Sequence, residues 1–483
     1  MTCVGKMFSS ETVKSTLPQH LLLPFLMALL LIVTGCASTP VASNGRTPES
    51  KDEIKNLVQA GKIFECRLSS ADWTIPGDVS QAQMFKSEGR WALIYEALLR
   101  SGPRSVFQPL QANFSFNGDG IAMGQRGSPR VTDVKTFEDS NRNRWFVSRS
   151  KMANSELFNG LVEVLANGKN FRSVIPVPAG ESVQQIWPSL PAVSGFANIV
   201  VRSTPSDDSG TGNDDESIFR WYQVGLADNS AKLITLYKPK QENIQPAGFI
   251  SMEKTTEPVA VTIVQPRLDS ADADPRAGDQ TTKISLRRIF TRTPAERIVF
   301  SAKGSFSSLT LSDSSVAPST HLAWILTPLR GGNRFLQTVT LPVRFIPERY
   351  FSRPNARDFE SFLATEINYD ANTPDFSFNL SKDNQPIPVL AWWGKLENDV
   401  ALLVQVLNPA FRSLKGNILK TEDGTALGIQ FQPSLAVIPP KPHNRVMYFS
   451  AAPTQSEKSI MILSNRSDSA DVSKESNLYL CLF

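Results

Sequence analysis

The segment Leu161-Val162-Glu163-Val164-Leu165-Ala166-Asn167-Gly168-Lys169-Asn170-Phe171-Arg172-Ser173-Val174-Ile175 decides the fold class. Two short runs rich in β-branched, aliphatic and aromatic residues flank Asn-Gly, a dipeptide that tolerates the positive φ angles of a tight hairpin turn. The unit recurs. Trp221 to Leu226 runs through Asp228-Asn229-Ser230 into Lys232 to Tyr237, and further turns are expected at Thr293-Pro294-Ala295, Gly331-Gly332 and Glu422-Asp423-Gly424. From residue 107 onward short apolar runs alternate with such turn clusters, and helical periodicity is scarce. This pattern predicts an all-β protein.

Ahead of several hairpins stands a second phrase, a Pro-containing short strand followed by a more hydrophobic one. Trp187-Pro188-Ser189-Leu190 leads to Asn198 to Ser203, Gln245-Pro246 to Val259 to Val264, Gln108-Pro109-Leu110 to Asn117 to Met123, and Gln432-Pro433-Ser434-Leu435 to Arg445 to Ser450. The implied unit is four antiparallel strands in roughly 55 to 65 residues, the grammar of a propeller blade. Arg90 to Gln108 reads as the closing hairpin of one more unit, which gives six or seven blades, seven being preferred. The alternative is two β-sandwich domains divided within the irregular stretch Pro342 to Tyr369. A transmembrane barrel fits less well, because its strands would be longer and would alternate strictly.

Composition narrows the classes. Of 483 residues 41% are apolar and 20% charged, enough to build cores and unlike a disordered chain. With 50 Lys and Arg against 46 Asp and Glu, the net charge of +4 lacks the bias of a nucleic-acid coat. Three histidines and four cysteines, scattered, are poor material for a zinc site.

The N-terminus carries an address. Lys6 and Lys14 precede an apolar run from Leu21 to Val33, too short to span a bilayer, which needs roughly 20 residues. The run ends in Val33-Thr34-Gly35-Cys36, which resembles the lipobox of bacterial lipoproteins. The resemblance implies a signal peptide over 1–35 and lipidation of Cys36. Ala37 in place of the aspartate that retains lipoproteins at the inner membrane implies the periplasmic face of the outer membrane. Residues 36–60, poor in apolar anchors at first, are expected to be a flexible tether, and 61–483 the folded body. The blade grammar resembles TolB-like propeller repeats over roughly residues 105 to 483, which implies a protein-binding scaffold in the envelope.

With Cys36 lipidated, Cys66 and Cys481 remain, an even pair near the two ends of the body that suggests a disulfide. Two buried free thiols are the other reading. Acidic residues cluster in two loops: Asp207, Asp208, Asp214, Asp215 and Glu216, then Asp269, Asp272, Asp274 and Asp279. In the blade register both join second to third strands of consecutive blades, so they are expected side by side on one face. Such a face suits a basic partner or calcium, though neither loop fits an EF-hand and solvated loops are the plainer reading.

Motifs for catalysis are weak. Gly118-Asp119-Gly120-Ile121-Ala122-Met123-Gly124 lacks the third glycine of a dinucleotide fingerprint. Ser148-Arg149-Ser150-Lys151 has a Ser-x-x-Lys spacing but ends a strand, and His321 and His443 have no matching nucleophile. Arg334, Arg344, Arg349, Arg353 and Arg357 interleave with Phe335, Phe345, Tyr350 and Phe351, as in an interface centre or an ordinary strand surface. The expected function is therefore a scaffold without a catalytic site or cofactor. An enzyme or binding protein acting on envelope glycan or peptide is the alternative.

Overall fold

The computed structural model describes most of the chain between Ile63 and Leu482. Residues 1–62 and the segments 66–72, 112–115, 124–130, 206–216, 240–243, 265–280, 315–318, 329–332, 353–359, 368–374, 407–416, 431–434, 439–445, 454–458 and 466–474, with shorter turns, lie outside the described residues. All described strands belong to the unit Gly45–Phe483.

Two short strands come first, β1 (Ile63–Glu65) and β2 (Trp73–Pro76). An antiparallel group follows in chain order: β3 (Asp78–Ser87), β4 (Arg90–Leu99), β5 (Gly102–Pro109) and β6 (Ile121–Ala122). The second group is β7 (Val131–Glu138), β8 (Arg144–Lys151), β9 (Phe158–Ala166) and β10 (Lys169–Ile175). The third is β11 (Glu181–Leu190), β12 (Phe196–Pro205), β13 (Ile218–Gly225) and β14 (Ser230–Tyr237). The fourth comprises β15 (Gln245–Ser251), β16 (Pro258–Val264), β17 (Thr281–Arg288) and the first part of β18 (Ala295–Ser314). The rest of β18 starts the fifth, with β19 (Ser319–Pro328), β20 (Arg334–Leu341) and β21 (Glu360–Ile367).

In the sixth group β22 (Asp375–Lys382), β23 (Gln385–Leu396) and β24 (Asp399–Val406) form a meander. The chain then detours: β25 (Ile418–Lys420) and β26 (Ala426–Gln430) pair with each other, and β26 lies parallel to β21. β27 (Leu435–Ile438) returns to β24 and also takes β1 in parallel. The last group is β28 (Val446–Pro453), β29 (Ser459–Asn465) and β30 (Glu475–Leu482), with β2 as its fourth strand through Trp73↔Leu478 to Pro76↔Glu475. The protein is all-β. Among the described residues one single-turn helix, α1 (Arg349–Ser352), interrupts the strands, and no helix is long and apolar enough to cross a membrane.

Local chemistry explains the hairpins. Ala166 pairs with Lys169, so β9 and β10 are paired to their ends on either side of the Asn167-Gly168 dipeptide, and Gly225 pairs with Ser230 across β13–β14. The turn between β7 and β8 is pinned by Asp139. Its carboxylate accepts from the Asn141 and Asn143 backbone N–H at 2.9 and 3.0 Å, from Asn143 Nδ2 at 2.9 Å and from Trp145 Nε1 at 3.1 Å. These bonds satisfy a carboxylate whose burial would otherwise be costly.

Backbone pairing and strand transfer join neighbouring groups. β11 and β15 run parallel through Ser189↔Phe249 and Leu190↔Ile250. β18 leaves the fourth group at Lys303 and enters the fifth at Gly304, whose φ is +144° and where a Cβ would stand 2.4 Å from the Thr327 carbonyl. Only glycine fits this transfer. Inside the fifth group Trp324 Nε1 donates to Gln337 Oε1 at 2.6 Å, and Gln337 Nε2 donates to Leu427 O at 2.9 Å, fixing β26 against a buried apolar cluster.

Part of the Pro-phrase register is corrected. Trp187-Pro188 and Gln245-Pro246 do lie on first strands that pair with the next strand. Pro109, however, ends a third strand, and Leu435 opens a fourth strand bound to β24, not to β28. Likewise Arg90 to Gln108 supplies the middle of the first group, not its closing hairpin. A proline at a strand end is tolerated wherever no ladder N–H is required, so the phrase does not fix strand order.

Candidate functional site

The acidic residues Asp207, Asp208, Asp214, Asp215, Glu216, Asp269, Asp272, Asp274 and Asp279 lie outside the described residues. The strands that carry them are described. Segment 206–216 joins β12 to β13, and 265–280 joins β16 to β17, in each case the second strand of a group to the third. Because β11 and β15 are parallel neighbours, and β12 and β16 run antiparallel to them, β12 and β16 end at the same end of two adjacent groups.

The root of the first acidic segment is a buried ionic network. Arg220 on β13 donates from Nη1 and Nη2 to the Glu181 carboxylate on β11, at 2.6 and 2.8 Å. Between them on β12, Ser203 Oγ donates to Glu181 at 2.7 Å and also contacts Arg220. Burial opposes ionisation of Glu181, but the bonds from Arg220 and Ser203 and the Arg220 charge outweigh it, so its pKa lies below the ordinary value. Arg202 Nε donates to Ser217 Oγ at 2.9 Å, one residue beyond the acidic segment. Opposite charges 39 residues apart carry no motif, and the sequence reading did not find this pair.

A second charged cluster sits where the first three groups meet. Asp133, at φ +55°, occupies the left-handed region that non-glycine residues rarely adopt, beside a bulge in β7. Its N–H donates to Glu96 Oε2 on β4 at 2.7 Å. Lys135 Nζ bonds Asp133 at 3.2 Å and the Ile186 carbonyl on β11 at 2.5 Å, and stands 5.5 Å from the centre of the Trp187 ring. Arg149 Nη1 donates to Gln184 O at 2.5 Å while its guanidinium covers Phe158 at 4.7 Å. Desolvation lowers the Lys135 pKa, against the opposing effect of Asp133. Two cations of the second group thus hold alternate carbonyls of the third, those of Gln184 and Ile186. This arrangement is a seam between groups, built on bulges that local sequence does not announce.

Other singled-out residues resolve as follows. Cys36 and Cys66 lie outside the described residues, whereas Cys481 is on β30 opposite Met461. His321, on β19, is buried and its Nδ1 bonds Thr340 Oγ1 at 2.9 Å; desolvation takes its pKa down to about 4. His443 lies outside the described residues. Ser148 is buried within β8, and Lys151 Nζ pairs with Glu156 at 2.5 Å. The Gly118 segment packs on β5: Gln108 Nε2 donates to Gly118 O at 2.9 Å, and a Cβ on Gly120 would approach Val106 to 2.6 Å.

The Arg and aromatic run is largely structural where described. Tyr350 is buried in the apolar cluster shared by the fourth and fifth groups, and Arg288, bonded to Glu257 at 2.8 Å, lies 5.8 Å from the Phe351 ring centre. Ile346 reaches back to the turn after β15, donating to Ser251 O at 3.0 Å and accepting from Glu253 N–H at 3.1 Å. The irregular stretch after β20 therefore straps two groups together. Among the described residues no three His, Cys, Asp or Glu side chains gather to hold a metal.

No protein-family model matches the chain, and no curated protein matches its sequence. Among solved structures it is similar to a protein of unknown function from Dyadobacter fermentans, at 8% identity and a TM-score of 0.39, over 86% of this chain and 99% of that one. It is also similar to a glycosyl hydrolase from Bacteroides ovatus, at 12% identity and a TM-score of 0.29, over 54% and 90% of the two chains. The catalytic domain of the GH62 α-L-arabinofuranosidase of Coprinopsis cinerea matches at 10% identity and a TM-score of 0.29, over 70% and 93%. Likenesses at these scores assign no activity.

Proposed function

We propose that this chain is an outer-membrane lipoprotein whose body is a seven-bladed β-propeller, and that it acts as a protein-binding scaffold at the periplasmic face. Seven antiparallel four-strand groups can be traced among the described strands, the fourth and fifth sharing β18, the sixth completed by β27 after the β25–β26 detour and the seventh by β2, and they support the blade count. The pairing of β2 with β30 supports ring closure, since an N-terminal strand that completes the last sheet ties the two ends of a circular array. The lipobox at Cys36 supports the address.

The observation that carries the binding role is the exit of both acid-rich segments from the same end of adjacent groups. The two segments that start from that end hold nine carboxylates, the chemistry that a cationic partner recognises, with calcium as the ionic alternative. The test is crosslinking with mass spectrometry in the native envelope, comparing the wild-type protein with one whose nine acids are replaced by Asn or Ser. A crosslinked partner that disappears in the variant, while the fold is kept, supports the scaffold. Unchanged crosslinks remove the acidic face. Turnover of envelope glycan or peptide by purified protein, abolished by one carboxylate substitution, establishes the enzyme reading instead.

A further inference from the structure

Strand β14 departs from the rest of the described surface. Leu233, Ile234 and Leu236 are 45, 39 and 46% exposed, and Val174 on the neighbouring β10 is 51% exposed. Four of the large apolar side chains that face solvent therefore fall on two adjacent edge strands. Among the described residues β14 pairs only with β13, and Trp221↔Thr235 followed by Tyr222↔Leu233 skips Ile234. The bulge breaks strict alternation where Leu233 and Ile234 are both exposed. Exposed lysines bracket the patch: Lys232 precedes it, and Lys238 follows it within range of the Glu181 charge, a carboxylate already bound by Arg220.

We infer that β14 docks on an anionic phospholipid surface, the three apolar side chains entering the interface and Lys232 and Lys238 meeting headgroup phosphates. The bulge disfavours an added partner strand, because it interrupts the ladder that such a strand needs. A second copy is disfavoured by charge: antiparallel self-pairing centred on Thr235 sets Lys232 against Lys238 of the other copy. A lipid surface takes apolar and cationic groups together. The inference rests on the lipid anchor proposed above. A lipid anchor confines the protein to the leaflet and raises the effective concentration of that surface, so a weak patch suffices.

The test uses the full mature lipoprotein on vesicles of phosphatidylethanolamine with phosphatidylglycerol, and on vesicles of neutral phosphatidylcholine. Amide exchange across residues 230–238 is expected to slow at least tenfold on the anionic vesicles relative to the neutral ones. Both Lys232→Glu/Lys238→Glu and Leu233→Ser/Leu236→Ser should lose that slowing while still floating with the vesicles through the lipid. Equal exchange on the two surfaces overturns the inference, as does slowing that appears without vesicles at rising protein concentration, the mark of a second copy. Flotation reports the anchor separately: wild-type protein that floats with neither vesicle overturns the anchor and, with it, a patch that works through tethering.

Discussion

Arg220 and Glu181 reach across an intervening strand to form two charge-assisted hydrogen bonds of 2.6 and 2.8 Å, with side chains only 5 and 13% exposed. Ser203, on that middle strand, bonds both. Three strands of one group are thereby locked in register at the end from which the first acidic segment leaves.

Removing one partner should be more damaging than removing both. Arg220→Met leaves a buried carboxylate uncompensated and is expected to cost about 3 kcal/mol or more, whereas Arg220→Met with Glu181→Met should recover much of the loss. Urea titration of the three proteins checks this ordering. Since the folded-state pKa of Glu181 lies below its ordinary 4.5, the pair's contribution is present above that pH and is lost as pH falls through the depressed value. A Glu181→Gln protein should lack that component of acid sensitivity.

His321 gives a separate window. Its folded pKa of about 4 lies below the ordinary 6.5 because burial disfavours the cation. The unfolded chain takes up a proton first, so this contribution is complete above pH 6.5 and declines as pH falls from 6.5 to about 4, by roughly 3 kcal/mol. Unfolding free energies measured between pH 7.5 and 4.5 should show that slope, and His321→Gln should flatten it.

Two glycines predict contrasting outcomes. Gly304→Ala places a methyl against the Thr327 backbone at a left-handed φ and should cost about 2 kcal/mol or more. Gly248→Ala meets the far end of the Leu311 side chain at 2.7 Å, which rotates away, so its cost should be smaller. Thermal melts of both variants test whether the β18 transfer is the more constrained site.

The cysteine pair makes a chemical prediction. Denatured, non-reduced mature protein should show no free thiol if Cys66 and Cys481 are bonded, and reduction should destabilise it by roughly 3 to 5 kcal/mol for so long a loop. Two titratable thiols would rule the bond out.

What could be read in advance was whatever is local. Asn167-Gly168 announces its hairpin because turn dihedrals are a property of those two residues, and the five expected turns all fall between paired or successive strands. The joins between groups were not legible. Nothing in residues 295–314 marks where β18 changes partners except Gly304, and nothing in Trp73-Thr74-Ile75-Pro76 says that its partner is Leu478. The Glu181–Arg220 pair was hidden for the same reason: the strands that unite them are set by sheet order, which leaves no mark on spacing. Tyr350 and Phe351 were legible as aromatic but not as the core side of a strap, because burial there depends on the fourth group lying beneath.

The strand pair β2–β30 has a consequence for synthesis. Its contacts span about 400 residues, so closing them carries the loop-entropy penalty of nearly the whole domain and belongs to the last steps of folding. A chain emerging from the ribosome holds β2 in waiting until residues 475–478 arrive. Any nascent or clipped product lacking residues 475–482 keeps an unmatched strand at one end and an unfinished sheet at the other, a state that a protease can distinguish from the finished protein.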